Sequence, residues 1–209
     1  GTKSNVRKKK EFCMKNNDNF WLGKRVFITG HTGFKGSWLS LWLLQLGAEI
    51  SGYSLEPESD LSLFNQLNLS SKVHNNINDI RDKDTLEKKI LDFSPDIVLH
   101  LAAQPLVGLS YEKPEKTWSI NLMGTIYLLE SLRKLKKKCV AVVITTDKVY
   151  QNNEWDFSYK ESDKLGGNDP YSASKAGAEM VIQSFVKSFY PLKNTKIFIS
   201  VARAGNVIG

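Results

Sequence analysis

At 209 residues, 41% of them hydrophobic and 24% charged, the chain is long enough for one large domain, while two cysteines, Cys13 and Cys139, without metal-knuckle or CxxC spacing argue against a disulfide scaffold or redox pair. The net charge of +7 comes largely from lysines at 8–10 and at 134 and 136–138; the second run ends an expected helix, where cations complement the dipole, and neither run has the aromatics, zinc spacing or recognition helix of a nucleic-acid binder. The longest apolar stretch, residues 38–46, is broken by Ser40 and Gln45 and falls far short of the roughly 20 residues of a membrane span; with no secretory h-region either, neither a nucleic-acid nor a membrane partner is expected, and a cytoplasmic location is.

In chain order, residues 1–20 read as a polar, basic N-terminal segment and residues 21–209 as one domain. RVFIT at 25–29 suits a buried strand, a leucine- and tryptophan-rich helix spans 37–46, Gly47 closes it, and a second strand follows at 49–54. Residues 61–68 form a short helix or an irregular loop, 73–77 a weak strand, and 84–91 a helix capped by Asp82 or Asp84. Strands at 97–101, 140–145 and 197–202 alternate with helices at 121–137 and 171–188, and the loop at 151–169 is long enough for a lid or an insertion. Strands alternating with such helices predict an α/β fold, a doubly wound and mostly parallel Rossmann sheet with helices on both faces.

After the first strand come Gly30, His31, Thr32, Gly33, Phe34, Lys35 and Gly36, with glycines at relative positions one, four and seven. This is a looser form of the dinucleotide fingerprint with the same logic: a tight turn at Gly30, close approach to a pyrophosphate at Gly33, and close helix packing at Gly36. His31, Phe34 and Lys35 join them as cofactor candidates. An acidic residue about 20 positions beyond the first glycine would hold the adenosine ribose. Here Tyr53 and Ser54 end the second strand and Glu56 comes late, so NAD is expected with NADP open. Asp79 and Ile80 are candidates for the adenine amine and ring, with a capped turn as the alternative.

At the end of the fourth strand, Leu101, Ala102 and Ala103 leave room for the nicotinamide half of a cofactor. The fifth strand ends in Thr145, Thr146, Asp147 and Lys148, and the next helix opens with DPYSASK at 169–175. Tyr171 and Lys175 are four apart and share a helix face. A tyrosine near pKa 10 is a poor base, but a unit charge at roughly 6 Å and an effective dielectric near 20 supplies on the order of 3 kcal/mol, about two pK units. Lys175 is therefore expected to bring Tyr171 into working range. The two together suit proton removal from a substrate hydroxyl during hydride transfer.

The segments at 30–43, 100–107, 145–150, 169–175 and 202–209 together resemble the nucleotide-sugar 4,6-dehydratases of the extended short-chain dehydrogenase superfamily. The resemblance runs from about Trp21 to Gly209, with TTDK and GHTGFKGSW its more specific parts. It implies tight NAD binding, oxidation of a glucose 4-hydroxyl, loss of water across C5 and C6 and hydride return to C6, with CDP-glucose as substrate, a homodimer as assembly, and a place in deoxysugar and lipopolysaccharide biosynthesis. Carried over, Tyr171 is the base at the 4-hydroxyl, Lys175 orients the cofactor, Thr146 holds the 4-position and Asp147 is the acid for the departing 6-hydroxyl. Related dTDP-glucose enzymes have glutamate where this chain has Lys148, which is expected to act in the elimination with its proton role open. Gln104, Arg203 and Asn206 are the substrate-side candidates, and the C-terminal nucleotide-binding portion of the family is expected to be missing from this chain. No metal is expected.

Overall fold

A computed structural model of the chain describes residues 20–193 and 195–207; the expected N-terminal segment, apart from Phe20, lies outside them. Six parallel strands form one sheet in the order β3-β2-β1-β4-β5-β6, from β1 (Arg25–Thr29), β2 (Glu49–Ser54), β3 (His74–Ile77), β4 (Ile97–His100), β5 (Cys139–Thr146) and β6 (Ile197–Ala204). The predicted fold class is the observed one. Strands β1, β2 and β4 are mostly buried, as a parallel sheet covered on both faces requires. β3, with the sequence HNNI, takes the edge, where polar side chains discourage further pairing.

Side chains alternate across β1 and divide the core. Phe27 faces a cluster with Leu86 and Ile90 of α3 (Lys83–Phe93) and Leu128 and Leu132 of α6 (Gly124–Arg133). Val26 and Ile28 face the opposite side, with Leu43 of α1 (Phe34–Gln45). A third cluster joins Leu129 and Val143 to Ile182 of α7 (Pro170–Phe189). The short α2 (Leu63–Gln66) settles the ambiguous 61–68 segment as a helix, capped by the Ser62 side chain.

Two helices went unpredicted, α4 (Val107–Glu112) and α5 (Pro114–Trp118), followed by a π-helical turn at Ser119–Met123. Both helices are under two turns long, too short for hydrophobic periodicity to register. Pro114 at the first position of α5 is their clearest local mark. Helix α1 begins three residues earlier than the sequence suggests, directly after Gly33. Among the described residues no helix is long and apolar enough to cross a membrane, and no group of three His, Cys, Asp or Glu is placed to hold a metal.

Candidate active site

Strand order reverses between β1 and β4, so their carboxyl ends open a crevice, the usual ligand position in such sheets. Gly30 enters it with φ of 76°, and a Cβ there would lie 2.8 Å from the Ala102 nitrogen. Gly36 is more constrained still, since its Cβ would come within 2.1 Å of the Gly30 carbonyl oxygen. Gly33 caps α1 in extended conformation with no side-chain cap bond, and Ser37 is the residue whose N–H reaches the Gly33 carbonyl. The first-turn amides and the positive end of the helix dipole are thus left to an incoming anion. Where side chains would block the turn there are none, and this cradle fits the pyrophosphate of a dinucleotide.

The side chains expected around the adenosine half, His31, Tyr53, Asp79 and Ile80, are engaged within the fold itself. The His31 imidazole is fully buried, bonded through Nε2 to Asn75 Oδ1 at 2.7 Å and set edge-on to Phe64. It fills the space above Gly52, where a Cβ would strike the ring at 2.2 Å. Tyr53 is also fully buried, its ring beside Phe27 and its hydroxyl donating to the Asp79 carbonyl at 3.1 Å. Ile80 packs in the same core against Gly124. Asp79 is held by Arg81, whose Nε donates to both carboxylate oxygens at 3.0 and 3.1 Å; this pairing holds the carboxyl below its usual range. Ser54 stands at the expected strand end, bonded to Thr32 at 2.9 Å.

Across the crevice, Leu101, Ala102 and Ala103 follow β4 in partly exposed positions. Thr29 Oγ1 accepts from the N–H groups of Leu101 and Ala102, both at 3.2 Å. Its proton is then free to go to His100 Nδ1 at 2.7 Å, leaving Nε2–H to donate to Thr125 Oγ1 at 3.2 Å, and Thr125 donates to the Asn121 carbonyl at 2.7 Å. The relay requires a neutral imidazole, and burial with the nearby Lys175 charge lowers the His100 pKa to about 3. Gln104, a substrate-side candidate, lies in the loop that follows β4. It is buried, and its amide serves the loop itself, donating to Thr117 Oγ1 at 2.9 Å and accepting from the Leu106 N–H at 2.6 Å.

The chemical half of the site is open where the adenosine half is closed. A cleft of about 190 Å³ is lined by Lys35, Thr145, Thr146, Lys148, Tyr171 and Asn206 among others. Asp147 adjoins it, its carboxylate 3.3 Å from where a Cβ on Gly205 would sit. Thr146 donates to Asp147 Oδ1 at 3.0 Å and accepts from the Lys148 N–H at 3.3 Å, a tight turn that sets all three at the end of β5. Helix α7 is started by a capping box between Asp169 and Ser172, with Pro170 in its first turn. This fixes Tyr171 and Lys175 at the buried, sheet-facing start of the helix.

The expected electrostatics of that pair differ in this state. Burial pushes the Tyr171 phenol up; the Thr146 hydroxyl opposes that, and the Asp147 and Asp169 carboxylates add to it. Lys175 donates to the Ile144 carbonyl at 3.4 Å. Its own pKa falls to about 8, chiefly by burial and then by Lys35, with Glu179 acting the other way. The lysine is thus drawn toward the strand, and its ammonium form still predominates at pH 7 but gives way to the neutral amine above about pH 8.

Arg203, a substrate-side candidate, is engaged within the wall of the site: its guanidinium meets the buried Glu179 carboxylate at 2.6 to 3.1 Å and stacks 4.7 Å above the Tyr150 ring. Glu179 also accepts from Thr145 at 2.6 Å. Sequence reasoning passed over Glu179, although a carboxylate one turn beyond Lys175 among Ala176, Ala178 and Ile182 marks a buried charge. Asn121 was missed for want of any motif. Its side chain joins the Gln104 backbone to Ser174 Oγ through bonds of 2.8 to 3.2 Å and ties α7 to the β4 loop.

A family model described as GDP-mannose 4,6 dehydratase matches residues 27–203. The chain is 50% identical over 194 residues to CDP-glucose 4,6-dehydratase of Salmonella typhimurium, covering 91% of this chain and 54% of that protein. It is 34% identical to dTDP-D-glucose 4,6-dehydratase of Dictyostelium discoideum, over 94% of this chain and 46% of that one. Among solved structures it is similar to Thermus thermophilus UDP-glucose 4-epimerase in complex with NAD, with a TM-score of 0.68, 30% identity, and coverage of 79% of this chain and 51% of that one. The chain spans about half the length of the curated relatives it matches.

Proposed function

Because this chain belongs to the GDP-mannose 4,6 dehydratase family, we propose that it is the cofactor-binding and catalytic half of a nucleotide-sugar 4,6-dehydratase acting on CDP-glucose, with NAD as cofactor. The observation that carries the reading is the convergence of Thr146, Lys148 and Tyr171 on one cleft, with Asp147 at its edge. A redox pair alone serves an epimerase or a reductase equally well. The acid and the lysine beside it supply what the loss of water needs. Half-length identity to the Salmonella protein supports the choice of CDP-glucose, and the NAD-complexed epimerase supports the choice of cofactor.

Bound at the glycine cradle, a nicotinamide dinucleotide would supply the hydride acceptor and donor. The residues of the chain divide the proton work. Tyr171, once its phenolate is favoured, takes the proton from the sugar 4-hydroxyl, which Thr146 holds by a hydrogen bond. The 4-ketone so formed acidifies the hydrogen on C5. Asp147 then protonates the departing 6-hydroxyl, and Lys148 acts at C5 as base or as the charge that stabilises the enolate. A homodimer belongs to the same reading, supported by exposed apolar side chains such as Trp118 and Met180 on neighbouring helices.

The test is to incubate the full-length protein with CDP-glucose and catalytic NAD in deuterated water. A 4-keto-6-deoxy product with one deuterium at C5 and no net NADH is expected. Stoichiometric NADH, a 4-epimer, or turnover of another nucleotide sugar in preference would overturn the assignment.

A further inference from the structure

One buried charge in the site lies outside this division of labour. Glu179 is 2% exposed and sits one helical turn beyond Lys175 on α7. Its carboxylate accepts Thr145 Oγ1 from β5 at 2.6 Å and the Arg203 guanidinium from β6, Nε at 2.9 and 3.1 Å and an Nη at 2.6 Å. A carboxylate with four such bonds is fixed in place. Thr145 directly precedes Thr146, and Lys175 is an i–4 neighbour on the same helix, at a typical Cβ separation of about 5 to 6 Å. The end of β5, which lines the cleft, and the buried Lys175 thus both neighbour one immobile anion that does not itself line the cleft.

We propose that Glu179 is the positioning residue of this site: held by Arg203, it fixes the end of β5 through Thr145 and keeps the Lys175 ammonium charged. The second role follows from the surroundings of that ammonium. From α1 it faces Lys35 and from β4 the neutral His100, while Tyr171 and Glu179 share its own helix. Lys35 and burial both favour loss of its proton, and Glu179 opposes them. Arg203 pairs with Glu179 from β6, and of the two it is the Glu179 carboxylate, on the helix of Lys175, that acts on the ammonium. A charged Lys175 is what a phenolate at Tyr171 needs beside it, so the role rests on the dehydratase reading for its purpose but not for its existence.

Titration of Lys175 in full-length protein labelled at the lysine ε-carbon, with the signal assigned by Lys175→Arg, tests this without turnover. Glu179→Gln keeps an acceptor for Thr145 and removes the charge; the Lys175 midpoint should fall by roughly one unit. Glu179→Asp retains the charge and should restore most of that shift. Should the single amide variant fail to fold with Arg203 unpaired, Glu179→Gln with Arg203→Gln removes both charges, and the midpoint should still fall, by less. In activity, kcat above the new midpoint should drop by about tenfold with KM little changed. A midpoint that stays put, or rises, in a folded variant without the Glu179 charge would overturn the proposal. That result would leave the dehydratase reading intact, whereas a failed product assay with a shifted midpoint would do the reverse.

Discussion

The two halves of the crevice present different chemistry. On the β1–β2–β3 side the side chains near the expected adenosine position are consumed by the fold: His31 by Asn75, Tyr53 by the Asp79 carbonyl, Ile80 by the core. What remains for a ligand there is backbone, arranged by Gly30, Gly33 and Gly36 at the start of α1. On the β5–α7 side it is side chains, Thr146, Lys148 and Tyr171, that line the cleft. A pyrophosphate is a repeated, symmetric anion that N–H groups and a helix dipole can hold. Acid–base chemistry needs groups that titrate, and these must come from side chains.

The contrast breaks most sharply at Tyr171. Under the proposed activity, Tyr171→Phe in the full-length protein should cost about 10² to 10⁴ in kcat, the usual contribution of a positioned acid–base group, with dinucleotide affinity unchanged within about twofold. Isothermal titration with NAD beside product assays checks both. A comparable loss of affinity would place the tyrosine in the binding half instead.

Gly36→Ala should do the opposite. Its new Cβ would press on the Gly30 carbonyl, which is backbone and cannot swing aside, and the displacement should cost about 3 kcal/mol in stability or an equivalent loss of dinucleotide binding. Denaturant unfolding and NAD titration report the two. A neutral result would mean that the turn is not the tight cradle described.

Lys175 sharpens the comparison through pH. Its folded value of about 8 lies below the ordinary 10.5, so between those values the unfolded chain binds more protons than the folded one. Stability therefore rises with pH across that window, and below pH 8 the buried charge imposes its full cost, about 3 kcal/mol at most. Lys175→Met should abolish the rise and raise the melting temperature of the cofactor-free protein at pH 7, a stability gain bought with function. Differential scanning calorimetry from pH 7 to 10 follows it. His100 behaves conventionally, with stability lost as pH falls from 6.5 toward about 3 and a neutral imidazole is forced to charge.

The same division explains what was legible in the sequence. Glycine spacing, the capped DPYSASK start and TTDK are local patterns whose geometry follows from a few residues, and all lie at the crevice edge. Whether Tyr53 points to a ribose or into the core depends on its strand register against β1 and on Asp79, 26 residues away. Arg203 reads as a free cation until Glu179, 24 residues earlier, is brought beneath it. Short helices α4 and α5 lacked the length for a periodic signal. Local backbone chemistry is visible in sequence; the partners of buried polar side chains are set by tertiary contact.

The mildest test falls on Tyr53, where the two halves make opposite predictions for one hydroxyl. As a core residue, Tyr53 clasps the β3–α3 turn by donating to the Asp79 carbonyl at 3.1 Å, with the Asp82 carbonyl at 3.4 Å. Burial, with Asp82 and Asp79 nearby, pushes its phenol pKa well above the ordinary tyrosine value, so it stays a neutral donor at any working pH. Tyr53→Phe keeps the ring against Phe27 and deletes only the donor, which should cost about 1 kcal/mol, the net worth of one neutral hydrogen bond. The urea midpoint should drop accordingly with an unchanged m-value. NAD affinity should hold within about twofold, because the hydroxyl faces backbone and not the crevice. A fivefold or greater loss of affinity with unaltered stability would return Tyr53 to the cofactor and show that side chains, too, read the adenosine half.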